Sequence, residues 1–401
     1  MSRNRTFDVL VVGAGPAGSV CAYCMARRGV SVALVDRIRF PRDKACGDLL
    51  SPRVAELLGE LSIDVAGRVR VGDMRLVGPS GGSMALPWPT GGSLPGHAEA
   101  LPRTLFDEQL RLAAIDAGAE FLQGDVDRVE VVSGSPTKVV LGDGRSISAQ
   151  HIVGADGSLS RVATSTELIA GSGLWGFALR YYVAGQVREP LIIYWEPSPG
   201  RAFPGYGWLF PNSDGRANLG LGMSVGAHRG GADVVAKLFP AFVDYLRKAD
   251  ILQEEVELSD QERRGGWLKM GLTGTLPAWG PILLIGDAAG LVNPLVGEGI
   301  SAAIWSAREA AVAIVDTPAR AASEYRASLL RRHGDFYPAT AALQSFMAHH
   351  PRWFSFTGRL LTTPGVNTLL GPSWSMYWND LVDGSCGVRK SGFTLRGCIR
   401  G

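Results

Sequence analysis

Three glycines near the start of the chain constrain its fold more than any other feature. They follow an apolar, β-branched run at residues 9–12 and are spaced Gly-x-Gly-x-x-Gly, as Gly13, Gly15 and Gly18, ahead of a helical pattern over residues 17–28. The first glycine permits a tight strand-to-helix turn, the second lets the backbone approach a pyrophosphate, and the third lets the helix pack close to the strand. The arrangement predicts a βαβ unit that binds a dinucleotide.

The second strand supports this prediction. Residues 30–35 form another apolar run that ends in Asp36, near the position at which an acidic residue meets a ribose 2′-hydroxyl in such units. The N-terminus of the helix between the strands would direct N–H groups and the positive end of its dipole at the phosphates. A glycine motif by itself is weak, but a motif in register with both strands, the helix and the acid makes an ordinary glycine-rich turn a poor alternative.

Charge and hydropathy exclude several classes of function. The 401 residues include 40 Lys and Arg against 38 Asp and Glu, and they contain no basic block of the kind that binds nucleic acid. No apolar run approaches the roughly 18 residues that span a bilayer, and the first strand starts too early to leave room for a secretory signal. We therefore expect a cytoplasmic protein that contacts a membrane only peripherally, if at all, with no nucleic-acid partner and no metal site.

The residue pattern of the chain changes in its middle third. Aromatic-rich strands separated by Pro/Gly turns occupy residues 177–183, 191–195 and 217–223, followed by a helix at 232–248 and a strand at 256–263. This pattern is typical of a mostly antiparallel sheet, in a layer separate from the opening βαβ unit.

The pattern of the opening βαβ unit then returns, with an apolar strand at residues 281–285 and a long apolar helix at 302–315. The sequence therefore predicts an α/β (α+β) fold with a discontinuous, Rossmann-like dinucleotide-binding domain, an inserted, mostly antiparallel β-sheet substrate domain and a C-terminal helical region. The predicted limits are 1–72, 97–165 and 270–320 for the first, 73–96 and 166–269 for the second, and 321–401 for the third.

Two later segments resemble the end of the first strand. Asp156-Gly157 and Gly286-Asp287 each follow an apolar strand. A doubly wound sheet binds ligands at the carboxyl ends of its strands, so three such ends could hold one long ligand such as FAD. Asp287 would hydrogen-bond ribityl or pyrophosphate groups, and N–H groups near residues 297–299 would stabilise negative charge near flavin N1 and O2. A helix N-cap is the alternative role for Asp287.

Longer motifs resemble a known group of flavoproteins. They are Pro41-x-x-Lys44-x-Cys46-Gly47, then Pro204-Gly-Tyr206-Gly-Trp208-Leu-Phe210-Pro211 with Asn218-Leu-Gly220-Leu-Gly222, and Gly286-Asp287-Ala-Ala-x-x-x-Asn293-Pro294-x-x-Gly297-Glu298-Gly299-Ile300. With the first strand they resemble the flavoproteins of the hydroxybenzoate-hydroxylase fold, over the chain up to about residue 311. Within that group the sequence is more similar to the geranylgeranyl reductase family, which includes menaquinone-side-chain reductases. Leu49-Leu50 is a departure, since the family usually has a small residue there and these leucines would crowd the loop.

The resemblance implies FAD as the cofactor and an isoprenoid C=C bond reduced by hydride from flavin N5. No second Gly-x-Gly-x-x-Gly unit is present, so NAD(P)H would dock transiently, or a separate protein would deliver the electrons. Together with the strand ends, the resemblance predicts a set of cofactor-binding residues: Gly13, Gly15, Pro16, Ala17, Gly18, Asp36, Arg37, Lys44, Ala45, Cys46, Gly47, Arg103, Val126, Asp156, Gly157, Gly286, Asp287, Pro294, Gly297, Glu298, Gly299 and Ile300.

Cys46, Tyr206 and Trp208 are the candidate catalytic residues. A hydride added to one alkene carbon requires a proton on the other, and Cys46, as a thiol or thiolate near the flavin, or a water could supply it. A packed cysteine without chemistry is the alternative. Tyr206 and Trp208 alternate along one strand with Phe210, so they share a face that could line an apolar substrate channel. A plain aromatic sheet core is the alternative there.

The other cysteines and the C-terminal aromatics are less informative. Cys21 and Cys24 have Cys-x-x-Cys spacing but lie within a helix, which favours buried apolar residues over a redox pair. Cys386 and Cys398 flank a basic tail, and the pattern leaves their role open. Aromatic residues at 351–378 would suit a bilayer surface, although packing over the substrate domain is favoured.

Three functions fit this sequence because a fold by itself does not set the chemistry. A reductase of an apolar polyene or prenyl chain is favoured. A flavin-dependent monooxygenase, acting as a hydroxylase or epoxidase in natural-product biosynthesis, uses the same scaffold. The third is a cyclase in which FAD forms part of the wall of the site and takes no part in redox chemistry. A halogenase is disfavoured, because the Trp-x-Trp-x-x-Pro motif of tryptophan halogenases is absent from the sequence.

Overall fold

The computed structural model describes residues 5–366 except 89, 92–93, 132–135, 186, 227–230 and 364. In this part of the chain the helices are α1 (Pro16–Ala26), α2 (Pro52–Glu60), α3 (Arg103–Asp116), α4 (Arg161–Ser165), α5 (Ala232–Lys248), α6 (Ile300–Asp316), α7 (Ala321–His333), α8 (Phe336–His349) and α9 (Pro351–Leu361). The strands are β1 (Arg5–Val12), β2 (Val32–Asp36), β3 (Leu49–Leu50), β4 (Val69–Val71), β5 (Met74–Val77), β6 (Ser83–Leu86), β7 (Thr90–Gly91), β8 (Leu94–Pro95), β9 (Ala98–Ala100), β10 (Glu120–Gln123), β11 (Val126–Glu130), β12 (Thr137–Leu141), β13 (Ser146–Gly154), β14 (Leu174–Val183), β15 (Leu191–Ile193), β16 (Gly205–Pro211), β17 (Ala217–Gly226), β18 (Arg264–Met270), β19 (Ala278–Trp279) and β20 (Ile282–Leu284).

An eight-stranded sheet organises the predicted dinucleotide-binding domain. Its order is β10-β2-β1-β13-β12-β11, with β20 added beside β13 and β19 beside β20. The strands β10, β2, β1, β13 and β20 run parallel, and β2 is buried along its whole length, as in a sheet covered on both faces. Because parallel strands present their carboxyl ends at one edge, the segments after β1, β2, β13 and β20 meet there. The Rossmann-like α/β fold is therefore confirmed.

Close backbone approach explains the glycines of the first turn. Gly13 has a φ of 100°, and a Cβ on it would lie 2.3 Å from the carbonyl oxygen of Ala155. A Cβ on Gly18 would lie 1.8 Å from the carbonyl oxygen of Gly13. Only glycine can occupy these positions while α1 packs against β1 and β2.

A second, mostly antiparallel sheet has the order β18-β14-β17-β16-β15-β5-β6. Its β15–β5 pair is parallel, which brings a segment from early in the chain into the inserted region. Helix α5 has the bounds that the sequence predicted, and it packs on this sheet through Phe239, Phe242 and Val243. The domain limits themselves stay a prediction.

The predicted strand at residues 256–263 is wrong. A 3₁₀ turn occupies Asp260–Glu262, and the edge strand is β18, which begins at Arg264. The apolar alternation arises because Val256 and Leu258 pack against the core under α5 while their backbone remains irregular. Strand β18 was not predicted because Gly265 and Gly266 interrupt its apolar pattern.

Helices α7, α8 and α9 follow α6 and pack on the dinucleotide-binding domain and the inserted sheet. None of the helices in the described ranges is long and apolar enough to cross a membrane. Cys386, Cys398 and the aromatic residues beyond position 366 lie outside the described residues.

Candidate active site

A cavity of about 220 Å³ lies beside the strand ends, with a lining drawn from both sheet regions and from α8 and α9. Many predicted site residues meet there although they are far apart in the sequence. They are Pro16, Lys44, Ala45, Cys46, Gly47, Arg103, Tyr206, Trp208, Asp287, Pro294, Gly297, Glu298, Gly299 and Ile300.

The other predicted cofactor residues do not line this cavity: Gly13, Gly15, Ala17, Gly18, Asp36, Arg37, Val126, Asp156, Gly157 and Gly286. Asp36 ends β2, and its carboxylate accepts hydrogen bonds from the backbone N–H groups of Ala14 (2.8 Å) and Ile38 (2.9 Å). It therefore fixes the glycine turn to the neighbouring strand.

Asp156, Val126 and Arg37 have different surroundings. The Asp156 carboxylate accepts hydrogen bonds from the N–H groups of Arg161 (2.6 Å) and Val162 (3.1 Å), so it caps α4. Val126 is buried at the start of β11, and Arg37 is exposed. Contacts of these three residues with the cofactor stay predictions.

The first turn and the loops around it fit FAD. Helix α1 begins at Pro16 without a side-chain cap at Gly15, which leaves its first N–H groups for an anion. Arg42 extends over this turn, since its Nη2 lies 3.1 Å from the position that a Cβ on Gly15 would take. A cation and free N–H groups at one point suit a pyrophosphate. The sequence reasoning missed Arg42, which has no distinguishing pattern in a loop of several charges.

Asp287 ties two strand ends to the loop that precedes Cys46. Its Oδ2 lies 3.0 Å from Lys44 Nζ and accepts a hydrogen bond from Ser158 Oγ at 3.3 Å. It does not cap the long helix that follows, because α6 is preceded by Gly299 and the N–H of Ser301 donates to Glu298 Oε1 at 2.8 Å. The strand-end position is the one predicted for a cofactor-binding carboxylate.

A tight loop links Asp287 to α6. Buried Asn293 accepts a hydrogen bond at Oδ1 from the N–H of Leu295 at 2.9 Å, and its own N–H donates to the Glu298 carbonyl at 2.8 Å. Tyr206 Oη donates to the carbonyl of Val296, so strand β16 of the second sheet is attached to this loop. Burial raises the pKa of Tyr206, which therefore remains a neutral phenol.

The environment of Cys46 favours a neutral thiol. Burial raises the pKa of Cys46, an effect that the nearby Arg103 cation only partly opposes. Lys44, which the sequence placed as its neighbour, pairs with Asp287 instead. The N–H of Asp48 donates to Cys46 Sγ at 3.4 Å. A thiol rather than a thiolate therefore faces the cavity.

Arg103 has a structural partner that the sequence reasoning overlooked. Its Nε and Nη2 each lie 2.7 Å from an oxygen of Asp107, and Arg42 Nη1 lies 3.0 Å from the same carboxylate. The i,i+4 spacing of Arg103 and Asp107 is a visible signal for such a pair. The Arg103 side chain lines the cavity, and its contact with the cofactor stays a prediction.

The aromatic wall is held in place by residues of β17. Trp208 Nε1 donates to Asn218 Oδ1 at 2.9 Å. A Cβ on Gly220 would lie 1.9 Å from the Trp208 ring, so this glycine makes room for the indole. The Phe210 ring packs on Gly47 of the Cys46 loop. Asn218 and Gly220 of this motif therefore hold the Trp208 side chain of β16 in position.

Comparison with known proteins supports the same cofactor. The FAD binding domain family matches residues 6–173. A menaquinone reductase of Mycolicibacterium smegmatis is 38% identical over 375 residues, which cover 88% of each chain. A geranylgeranyl diphosphate reductase of Rhodobacter capsulatus is 30% identical, with 86% of this chain and 85% of the relative covered.

A solved structure shows the same fold. The geranylgeranyl bacteriochlorophyll reductase-like protein of Thermoplasma acidophilum superposes with a TM-score of 0.71 at 22% identity, covering 91% of this chain and 98% of that protein. The cofactor is FAD, and the protein is an FAD-dependent oxidoreductase. On the extent of these similarities, the chain belongs to the geranylgeranyl reductase family, which includes the menaquinone reductases.

Proposed function

We propose that the protein reduces a C=C bond of an apolar isoprenoid, adding hydride to one alkene carbon and a proton to the other. FAD, when bound and reduced, supplies the hydride. The lining of the cavity supports this substrate class, because Met74, Ile192, Trp208 and Phe210 form much of its wall beside Cys46. An apolar chain that enters this cavity is removed from water, which favours binding.

Cys46 is the proposed proton donor. The thiol lines the cavity and is kept protonated by burial, so it has a proton to give at neutral pH. In the balanced step the π bond is replaced by two C–H bonds, the cofactor loses two electrons, and the sulfur regains its proton from solvent. Tyr206 and Trp208 orient the chain through contact and do not exchange protons, since the pKa of Tyr206 is raised and its hydroxyl is bound to Val296.

The names of the relatives narrow the substrate further. One relative is named for menaquinone and another for geranylgeranyl diphosphate. Both molecules carry isoprenoid chains with trisubstituted alkenes, which is their shared chemistry. Leu49 lines the cavity beside Cys46 and Gly47 and narrows it, so we expect a preference for slender, linear prenyl chains.

Anaerobic turnover tests the function. FAD-loaded protein is reduced with dithionite and mixed with menaquinone or geranylgeranyl diphosphate, and products are examined by mass spectrometry. Gain of two hydrogen atoms on the prenyl chain without oxygen, measured after any quinol has been reoxidised to the quinone, supports a reductase. A product that appears only with oxygen and gains an oxygen atom indicates a monooxygenase. A product of unchanged mass, formed while the flavin stays oxidised, indicates the non-redox cyclase.

The electrons come either from transiently bound NAD(P)H or from a separate protein, and we propose the former as the simpler arrangement. Mixing the oxidised protein with NADPH or NADH in the absence of oxygen distinguishes the two. Bleaching of the flavin absorbance at a catalytically useful rate supports direct reduction. An unchanged spectrum would indicate that a separate protein delivers the electrons to the flavin.

We also propose that the protein meets its substrate at a membrane surface through α8 and α9. The inner faces of these helices line the cavity, while their outer faces expose Leu343, Phe346, Trp353 and Phe356, by 47, 51, 61 and 56%. Residues 336–363 contain no Asp or Glu, which favours anionic lipid. Co-sedimentation with phosphatidylglycerol vesicles tests this, and equal binding by wild type and a Trp353→Glu/Phe356→Glu variant would reject it.

A further inference from the structure

A buried carboxylate lies directly behind the Cys46 loop. Cys46, Gly47 and Leu49 line the cavity, whereas Asp48 between them does not and is 0% exposed. Asp48 has a φ of 60°, a left-handed conformation that is uncommon outside glycine. The turn therefore directs this one side chain away from the cavity and into the second sheet.

Four donors surround the Asp48 carboxylate. Its Oδ2 accepts hydrogen bonds from Tyr182 Oη, from Asn212 Nδ2 at 3.2 Å and from Asn218 Nδ2 at 2.8 Å. Its Oδ1 accepts from the backbone N–H of Arg103 at 3.3 Å. A buried carboxylate with this many donors is a fixed point in the structure, because replacing it leaves several donors unpaired.

The same network reaches both candidate catalytic elements. Asn218 Nδ2, which binds Asp48, also donates to the Cys46 carbonyl at 2.8 Å. The other end of that amide, Oδ1, accepts from Trp208 Nε1 at 2.9 Å. The N–H of Asp48 donates to the sulfur of Cys46 at 3.4 Å. One carboxylate and one amide thus connect the loop that carries the thiol to the strand that carries the indole.

We infer that Asp48 is a positioning residue: through Asn218 it holds the Cys46 thiol and the Trp208 indole in one fixed arrangement on the cavity wall. This role rests on the proposed function for its effect on turnover, although its effect on the thiol does not depend on the substrate. The carboxylate of Asp48 acts through its neighbours and does not itself touch the reacting atoms.

The charges around Asp48 give the inference a dependence on pH. Tyr182 and Arg180 of β14, Arg103 of α3 and Cys46 of the same loop face the carboxylate. Burial raises the pKa of Asp48 to about 6, despite hydrogen bonds from Tyr182 and Asn218 and the charges of Arg180 and Arg103, which lower it. Below that pH the carboxyl gains a proton, and one of the surrounding donors loses its acceptor.

The experiment measures the reactivity of Cys46 in the FAD-loaded protein. Iodoacetamide labelling of Cys46, followed by peptide mass spectrometry over a range of pH, is compared for wild type, Asp48→Asn and Glu99→Gln. Glu99 is the matched control, because it is a partly buried carboxylate on β9, beside the Leu49–Leu50 strand, with its own ion pair to Arg68 at 2.7 Å. Retained flavin absorbance establishes that each variant is folded.

We expect Asp48→Asn to label about tenfold faster at a given pH, since loss of the negative charge lowers the thiol pKa and so increases the fraction of reactive thiolate. Glu99→Gln should stay within about twofold of wild type. Equal labelling rates for Asp48→Asn and Glu99→Gln would overturn the inference. If Asp48→Asn fails to hold FAD, Tyr182→Phe decides, because it removes one donor from the Asp48 carboxylate without changing the charge. A less firmly held carboxylate fixes the Cys46 loop less tightly and makes the buried thiol more accessible, so faster labelling supports the role and an unchanged rate overturns it.

Turnover supplies the second readout. We expect kcat of Asp48→Asn to fall about tenfold to a hundredfold with KM nearly unchanged, because a misplaced wall affects orientation more than apolar binding. The wild-type rate should decline below about pH 6, and that decline should disappear in Asp48→Asn. If no isoprenoid is reduced even by wild type, the proposed function fails while the labelling result still decides the role of Asp48.

Discussion

The glycine turn between β1 and α1 and the aromatic wall of β16 solve different problems. The turn presents backbone N–H groups from residues that are neighbours in sequence, and its tight packing depends on the absence of side chains at Gly13 and Gly18. The wall presents side chains to the cavity, and the residues that support it come from the Cys46 loop, β16 and β17. We therefore predict that the glycine turn tolerates no added volume, whereas the aromatic wall depends on hydrogen bonds from several distant segments.

The largest expected effect breaks the turn. In Gly18→Ala the new Cβ would meet the Gly13 carbonyl at 1.8 Å, and we expect FAD affinity to fall roughly a thousandfold, about 4 kcal/mol. Gly59→Ala is the control, since nothing lies within 4 Å of its Cβ in α2; it should stabilise the fold by about 0.5–1 kcal/mol. Titration of apoprotein with FAD measures the affinity of both variants, urea unfolding measures the stability of Gly59→Ala, and wild-type affinity in Gly18→Ala would contradict this prediction.

Replacing the Cys46 thiol distinguishes an effect on turnover from an effect on FAD binding. In Cys46→Ala we expect FAD to remain bound while turnover falls on the order of 10²–10⁴-fold, the usual contribution of a positioned proton donor. Cys24→Ala, which removes a partly buried free thiol on α1, should retain turnover. Single-turnover reduction of an isoprenoid measures this, and equal rates for Cys46→Ala and wild type would remove Cys46 from the mechanism.

A smaller effect tests the support of the wall. In Gly220→Ala the Cβ would lie 1.9 Å from the Trp208 ring, so the indole must move, with a loss of about 3 kcal/mol in the free energy of unfolding. FAD binding should survive. Gly222→Ala is milder, because its Cβ would lie 3.4 Å from the same ring. Urea unfolding of both variants checks the order, and a more damaging Gly222→Ala would contradict it.

The smallest effect concerns pH. The carboxyl of Asp48 has an ordinary pKa of 3.8 when unfolded and about 6 when folded, so the folded state binds more protons between these values. Its contribution to stability is therefore greatest below about pH 4 and declines by about 1 kcal/mol per pH unit up to about pH 6. The difference in unfolding free energy between wild type and Asp48→Asn should follow this slope. A difference that does not vary over this range would contradict it.

Much of the fold and part of the site could be predicted from sequence patterns. The βαβ unit and α5 were predicted correctly because regular elements leave a periodic apolar pattern. The edge strand β18 was missed and a strand at residues 256–263 was wrongly predicted, since edge strands with adjacent glycines carry little periodicity. Arg103 was interpreted as a cofactor contact without its partner Asp107, although their spacing was visible.

The dinucleotide turn can be identified from the sequence alone, because a left-handed or tightly packed backbone restricts the residue type at Gly13 and Gly18 directly. The surroundings of Cys46, where Asp48, Asn218 and Trp208 form one network, become visible only in the folded protein. Hydrogen bonds between distant segments leave no periodic trace in a sequence, and burial, which keeps the thiol neutral and raises the pKa of Asp48, arises only when those segments pack together.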